Sequence, residues 1–315
     1  MPVLICGSMA YDNIMVFQGR FKEHILPDQT HILNVAFLVP EMRREYGGCA
    51  GNIAHNLKML SSGPHDEPLI MASVGEDSDA YFERLKSAGL NSRHLAVVPG
   101  SFTAQAFITT DLDDNQITAF HPGAMSASHV NHVGDADDIG LGIVAPDGRD
   151  GMVAHAREFS AAGIPFVFDP GQGLPMFNGD ELRELIGLAS YVAVNDYEAR
   201  LMEEKTGAKV EELAKLVEGF VVTRGGEGST IFAQGQRLDI PSVKPEALVD
   251  PTGCGDAYRA GLLYGISNRL EWEETGRLAS LMGSLKIASR GAQNHTGDRA
   301  RIGKEYARHF GFSLW

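Results

Sequence analysis

The sequence predicts an α/β fold: a doubly wound, mostly parallel sheet with helices on both faces and a small β lid. Three observations carry that expectation. Short apolar runs recur along the chain, amphipathic segments separate them, and two β-rich stretches break the alternation. A strand buried on both faces reads as an uninterrupted apolar run, and such strands alternating with helical patterns imply a parallel sheet.

The elements follow in order. VLICG (3–7) is the first strand, and residues 13–46 hold the β-rich NIMVFQG and HILNVAFLV. AGNIAHNLKML reads as a helix, LIMASVG (69–75) as a strand and DAYFERLKSAG as a helix. TAQAFITTDLDDNQITAFH (103–121) reads as a hairpin, two β-rich arms around the turn-forming DLDDN. Strands GIVAP (142–146), PFVFDP (165–170), YVAVN (191–195) and GFVVTRG (219–225) then alternate with helical segments GMVAHAREFSAAG, GDELRELIGLAS, NDYEARLMEEKTG and KVEELAKLVEG. After residue 250 the strands stop, and GDAYRAGLLYGISNRL and EWEETGRLASLMGSLKIASRG read as successive helices. The stretches at about 13–46 and 103–121 are expected to form the lid as insertions into one domain spanning 1–315. The alternative is that they add edge strands to the main sheet.

Composition narrows the partners. The 315 residues carry 27 Lys and Arg against 41 Asp and Glu, a formal charge of −14, which argues against nucleic acid or an anionic membrane. Hydrophobic residues make up 43%, enough for a sizeable core. The amino terminus lacks the basic region of a secretory signal, and no run approaches the length of a membrane span. Cys6, Cys49 and Cys254 form an odd, widely spaced set with no CxxC pair. A soluble cytoplasmic protein is the expectation.

The stretch ALVDPTGCGDAYRAG (247–261) carries the strongest chemical signal. Gly253, Cys254 and Gly255 run into Asp256 where a helix begins. The first N–H groups of a helix have no partner inside it, and glycine admits a phosphate close to the backbone, so one reading of the stretch is an anion site. An ordinary helix start with Asp256 as a first-turn acid fits the stretch equally well. Asp250 and Thr252 add oxygens that would hold a cation. A second cluster, REYGGCAGNIAHNL (44–57), places Gly47, Gly48 and Gly51 before a helix containing Asn52. It reads as a flexible turn and helix start, or as a polyol site in which Asn52 both donates and accepts. Asp12, at the end of the first strand, would accept bonds from two neighbouring hydroxyls. Competing motifs fail: GxxxxGK[ST] is absent, GQGLPM has Met176 at the third glycine position, and no HExxH occurs. A nicotinamide dehydrogenase and a zinc hydrolase are thereby poor readings.

The ordered set GSMAYD, YGGCAGNIAHNL, SVGEDSDAYFERLKSAGL, NDYE, VTRGGEGS and DPTGCGD resembles the ribokinase, or PfkB, family of sugar and nucleoside kinases over almost the whole chain. YGGCAGNIAHNL, TDLDDNQITAFHPGA and DPTGCGDAYRAGLLYGI look most like its bacterial and archaeal nucleoside kinases, which include adenosine kinase-like members. The resemblance implies a ribokinase-like fold. It implies that Asp256 is the general base, and that the N–H groups of Gly253, Cys254 and Gly255 receive the transferring phosphoryl group. The polyol site maps to Asp12, Gly47, Gly48 and Asn52. Asn195 and Glu198 match the NxxE motif associated with magnesium and phosphate, though a helix cap explains them as well. Thr223, Gly225 and Gly228 match the nucleotide-side turn. Potassium would be held near Asp250 and Thr252 with backbone oxygens around Ser289 and Gly291. Pro251 and Cys254 depart from the sugar-kinase form of the signature, where threonine and alanine are usual, and Pro251 removes a donor from the loop. Cys254 reads as a buried, inert thiol, or as an alkylation-sensitive one if it lies beside the phosphates.

The function expected is transfer of the γ-phosphoryl group of ATP, with Mg2+, to the 5′-hydroxyl of a nucleoside, adenosine or related. The alternatives are a kinase for ribose or a fructose derivative and a non-catalytic nucleoside or sugar sensor. Gln105, Phe107 and Phe120 of the hairpin are the candidate base contacts, since aromatic faces stack on bases. Exposed lid edges make a homodimer through the lid the expected assembly.

Overall fold

The computed structural model describes residues 1–25, 35–63, 66–113 and 115–315. The strands among them are β1 Val3–Cys6, β2 Ala10–Val16, β3 Glu41–Gly47, β4 Pro68–Val74, β5 Asn91–Val97, β6 Ala104–Thr110, β7 Gln116–His121, β8 Leu141–Val144, β9 Phe166–Phe168, β10 Tyr191–Asn195, β11 Gly219–Thr223, β12 Ser229–Ala233 and β13 Gln236–Ile240. The helices are α1 Phe21–His24, α2 Cys49–Leu60, α3 Asp79–Ser87, α4 Arg149–Ala161, α5 Gly179–Leu188, α6 Asp196–Thr206, α7 Val210–Leu213, α8 Cys254–Ser267, α9 Trp272–Ile287 and α10 Arg299–Phe310.

The main sheet has the order β13-β12-β11-β10-β9-β8-β1-β4-β5. It is parallel except at one edge, where β12 and β13 pair antiparallel. The two-residue period of β1 divides the core. Val3 and Ile5 join a cluster with Ile53, Leu57, Leu262 and Leu278 of α2, α8 and α9. Leu4 and Cys6 join one with Met152, Phe159, Leu182 and Met202 of α4, α5 and α6. Because successive side chains face opposite ways, one strand of four residues serves both layers. The winding reverses at β1, which pairs with β4 on one side and β8 on the other. The crevice outside the carboxyl ends of strands at such a reversal is where open α/β sheets bind ligands.

The two β-rich stretches pair with each other and not with the main sheet. They form a four-stranded sheet of order β3-β2-β6-β7. Its membership corrects the strand expected at 31–39. Residues 31–34 lie outside the described residues, 35–39 are irregular, and the strand is EMRREYG, from Glu41. That strand is polar and only its last residue is buried, so apolar patterning had nothing to register. The turn of the hairpin is organised by Asp111, whose carboxylate accepts N–H bonds from Phe21, Asp113 and Asn115. β5, β12 and β13 were also absent from the sequence reading. No helix among the described residues is long and apolar enough to cross a membrane.

Candidate active site

Two helices begin at the reversal point, and each starts on a glycine with positive φ. Gly48 (φ 84°) precedes α2, where a Cβ would lie 2.5 Å from the Ser8 carbonyl oxygen. Gly253 (φ 78°) precedes α8, where a Cβ would lie 2.8 Å from that of Ala292. Any other residue would be strained at these positions and would push the helix start outward. The two helices meet through their first turns: Asn52 Nδ2 donates to Asp256 Oδ2 at 2.8 Å. Asn52 is fixed from behind, its Oδ1 accepting from Gln293 Nε2 (3.0 Å), which also donates to the Tyr81 hydroxyl (2.8 Å). Tyr81 in turn donates to the Gly47 carbonyl at 2.7 Å.

Asp256 is half-buried. Burial raises its pKa to about 6, against the Asn52 hydrogen bond, which favours the carboxylate. A carboxylate so placed is ionised at neutral pH yet basic enough to take a proton from an alcohol in a transition state. Around it, the N–H groups of Gly253, Gly255 and Asp256 have no acceptor among the described residues, whereas Cys254 N–H donates to the Pro251 carbonyl at 3.1 Å. Two of the three expected N–H donors are therefore open, with Asp256 N–H beside them, and Cys254 is held in the preceding turn. The Cys254 thiol is pushed up to about 11, chiefly by burial, which fits the inert reading.

Asp12 sits at the root of the small sheet, close enough to Gly47 that a Cβ there would lie 2.5 Å from Asp12 Oδ2. Its pKa rises to about 6 through burial, with the charges of Glu45 and Asp250 adding to it. Strand register decides what shares its face. Asp12 pairs with Ala106, and Ala106 with Phe120, so these three lie on one side of the sheet. Gln105 pairs with Tyr11 and Phe107 with Asn13, which puts both on the other side. Gln105 is committed there, accepting from Asn13 Nδ2 and donating to Asp77 Oδ2 at 3.1 Å each. This corrects the expectation that Gln105, Phe107 and Phe120 converge on one ligand. Ile14 and Ile108, register partners on the Asp12 face, are the neighbours that the sequence reading missed.

On the opposite flank, Asn195 ends β10 and caps α6. Its side chain accepts from Glu198 N–H (2.8 Å) and Glu198 Oε2 accepts from Asn195 N–H (2.7 Å), so the capping explanation holds for both. Glu198 Oε1 is left over, and burial, then the charge of Asp169, raises the Glu198 pKa. Thr223 ends β11, and Gly225 and Gly228 bracket the short 3-10 turn that follows. The sequence reading also missed the buried bidentate pair of Arg259 with Asp169, Nε to Oδ2 and Nη2 to Oδ1 at 3.0 Å each. A signal was present: Arg259 is the one charge in AYRAGLLYG, one helical turn after Asp256, and Asp169 closes the apolar run FVFD. Asp250 caps its own loop, Oδ1 accepting from Thr252 N–H (2.9 Å) and Oδ2 from Gly291 N–H (2.8 Å).

Comparison with known proteins agrees with this arrangement. The chain is 30% identical over 266 residues to the nucleoside kinase of Methanocaldococcus jannaschii, covering 83% of this chain and 85% of that one. The structure of Burkholderia thailandensis nucleoside kinase in complex with inosine is 53% identical, covers 99% of both chains and superposes with a TM-score of 0.89. The same Burkholderia enzyme in complex with ADP-inosine matches at 54% identity, 99% and 97% coverage and a TM-score of 0.87. The fold is thus ribokinase-like, and the family model for pfkB carbohydrate kinases matches residues 9–298. The chain belongs to the pfkB carbohydrate kinase family.

Proposed function

We propose that the protein transfers the γ-phosphoryl group of ATP to the 5′-hydroxyl of a nucleoside. The observation that carries this is a carboxylate of raised pKa at a helix N-terminus with open N–H groups beside it. The acceptor hydroxyl gives its proton to Asp256, its oxygen bonds to the γ-phosphorus, and the bond from that phosphorus to the β-γ bridging oxygen breaks, releasing ADP. Gly253, Gly255 and Asp256 N–H groups face the charge on the transferring group, which is where such a reaction gains most. Bound magnesium would neutralise charge on the nucleotide phosphates. Glu198 Oε1 would hold it through water, a common way for Mg2+ to meet a protein. Thr223, Gly225 and Gly228 line the nucleotide side.

Asp12 accepts from the vicinal ribose hydroxyls. Phe120, with Ile14 and Ile108, offers an apolar face to the base. The small sheet acts as a lid on a single kinase domain, and its closure excludes water from the phosphoryl group. β7, exposed along its whole length, is the edge through which two lids would pair in a homodimer. Three unpaired cysteines suit the reducing cytoplasm.

ADP release with adenosine, inosine, cytidine, ribose and fructose, each with ATP and Mg2+, tests this reading. Nucleosides turn over faster than the free sugars; faster turnover of ribose or fructose makes it a sugar kinase, and thermal stabilisation without any ADP makes it a sensor. The pH profile adds a check on the groups. Both carboxylates act ionised and both have pKa raised to about 6, so kcat/KM is full above that value and falls as pH drops through it. The fall is steeper than one ionisation gives, since two groups titrate together. Asn52→Leu removes the donor that favours the Asp256 carboxylate, so its acid limb lies at higher pH than that of the native enzyme. A limb that stays in place in Asn52→Leu would show that Asp256 is not the titrating base.

A further inference from the structure

One side chain ties the turn before α8 to the turn after α9. Lys286, in the last turn of α9, is fully buried. Its Nζ donates to the carbonyl oxygen of Asp250 at 2.7 Å and to that of Ser289 at 3.1 Å. The Asp250 carboxylate is spent on the backbone, on Thr252 and Gly291 N–H, so the ammonium is held by carbonyl dipoles and not by a direct ion pair. A buried ammonium in such a cradle is costly unless the cradle needs a cation.

Carbonyl oxygens are what a potassium ion takes in exchange for its hydration shell. The carbonyls of Asp250 and Ser289 belong to the very segments to which family resemblance assigns potassium. A lysine ammonium is a compact point charge with three donors and no acceptor, so it satisfies the same oxygens from within the chain. Two monovalent cations in contact in this buried pocket would repel strongly. The site as built does not fit potassium beside Asp250 and Thr252.

We propose that Lys286 is a tethered monovalent cation that holds the Asp250 and Ser289 carbonyls together, sets the turn leading into α8, and makes the enzyme independent of potassium. Lys286 is a positioning residue: it reaches the reaction through residues 250–253, which aim the N–H groups of Gly253 and Gly255. Burial lowers its pKa, and the negative charge of Asp250 opposes that in part. The Pro251 carbonyl, bonded to Cys254 N–H, completes the turn on the far side.

The proposal rests on the kinase reading, and the test separates the two. ADP release with inosine and ATP–Mg2+ is measured in buffers whose only other monovalent cation is tetramethylammonium, with and without added potassium chloride. Native turnover is the same in both. Lys286→Ser, which opens the cradle, loses about 10²-fold in kcat through misplacement of the loop, and potassium or ammonium restores much of it. Lys286→Met, which fills the space without charge, loses as much and is not restored. The thermal midpoint of Lys286→Ser rises with potassium chloride, whereas that of the native chain does not.

Native activity that requires potassium overturns the proposal, as do variants that match the native enzyme without it or a Lys286→Ser defect that no cation relieves. Should both variants fail to fold, the native cation dependence alone decides. A native enzyme that releases no ADP from any acceptor defeats the kinase reading, while the thermal comparison still reports on the cation cradle.

Discussion

Asp256→Asn lowers kcat by about 10² to 10⁴, the range for losing a general base, and leaves the nucleotide KM nearly unchanged. Asparagine has the shape of aspartate, and its Oδ1 still accepts from Asn52 Nδ2, so the α2–α8 contact survives. The open N–H groups of Gly253 and Gly255 are main-chain groups and remain in place, and the turn at Thr223, Gly225 and Gly228 on the proposed nucleotide side is untouched, which preserves ADP binding. In the proposed mechanism, what disappears is the acceptor for the 5′-hydroxyl proton. The variant should therefore melt near the native temperature, bind ADP and release almost none from ATP and inosine. Near-native ADP release would remove Asp256 from the mechanism and with it the role of the α8 terminus.

Arg259→Met produces the largest loss of stability. Arg259 and Asp169 are 6% and 5% exposed and make two parallel bonds. Removing the guanidinium leaves Asp169 buried without its counter-charge, a cost of about 3–5 kcal/mol. Replacing both, as Arg259→Met with Asp169→Leu, recovers most of that loss, because the penalty lies in the orphaned charge and not in the missing attraction. Urea midpoints of the native, single and double variants measure this; equal midpoints for single and double variants would refute it. Arg259 also opposes the rise in the Asp256 pKa. Whatever activity Arg259→Met retains thus has its acid limb at higher pH than the native enzyme.

How much of this could be read in the sequence depends on the range of each signal. Runs such as VLICG and YVAVN mark buried strands because both faces need apolar side chains, and the glycines at 48 and 253 mark helix starts because the backbone there admits little else. β3 escapes notice because EMRREYG lies in a sheet that is largely solvated and carries no periodic apolar face. The partnership of Asp169 with Arg259 joins residues far apart in the chain, so only the fold brings it to light. Phe107 and Phe120 look equivalent in a hairpin until register assigns them to opposite faces. Lys286 was indistinguishable from any lysine near a helix C-terminus; its meaning lies in the two carbonyls that fold around it.

The junction at Gly47 and Gly48 has a consequence for how such an enzyme can change. β3 ends at Gly47, Gly48 precedes α2, and Asn52 lies in the first turns of that helix. The covalent path from a strand of the small sheet to the residue touching Asp256 is only five residues long. In the proposed mechanism, a mutation near this junction that alters the grip on the sugar also disturbs the poise of the base. New acceptor preferences are therefore more accessible at the far strands, β6 and β7, where Ile108 and Phe120 can vary without pulling on α2. Selection on the base recognised and selection on the rate of transfer would act on separate strands of the same sheet.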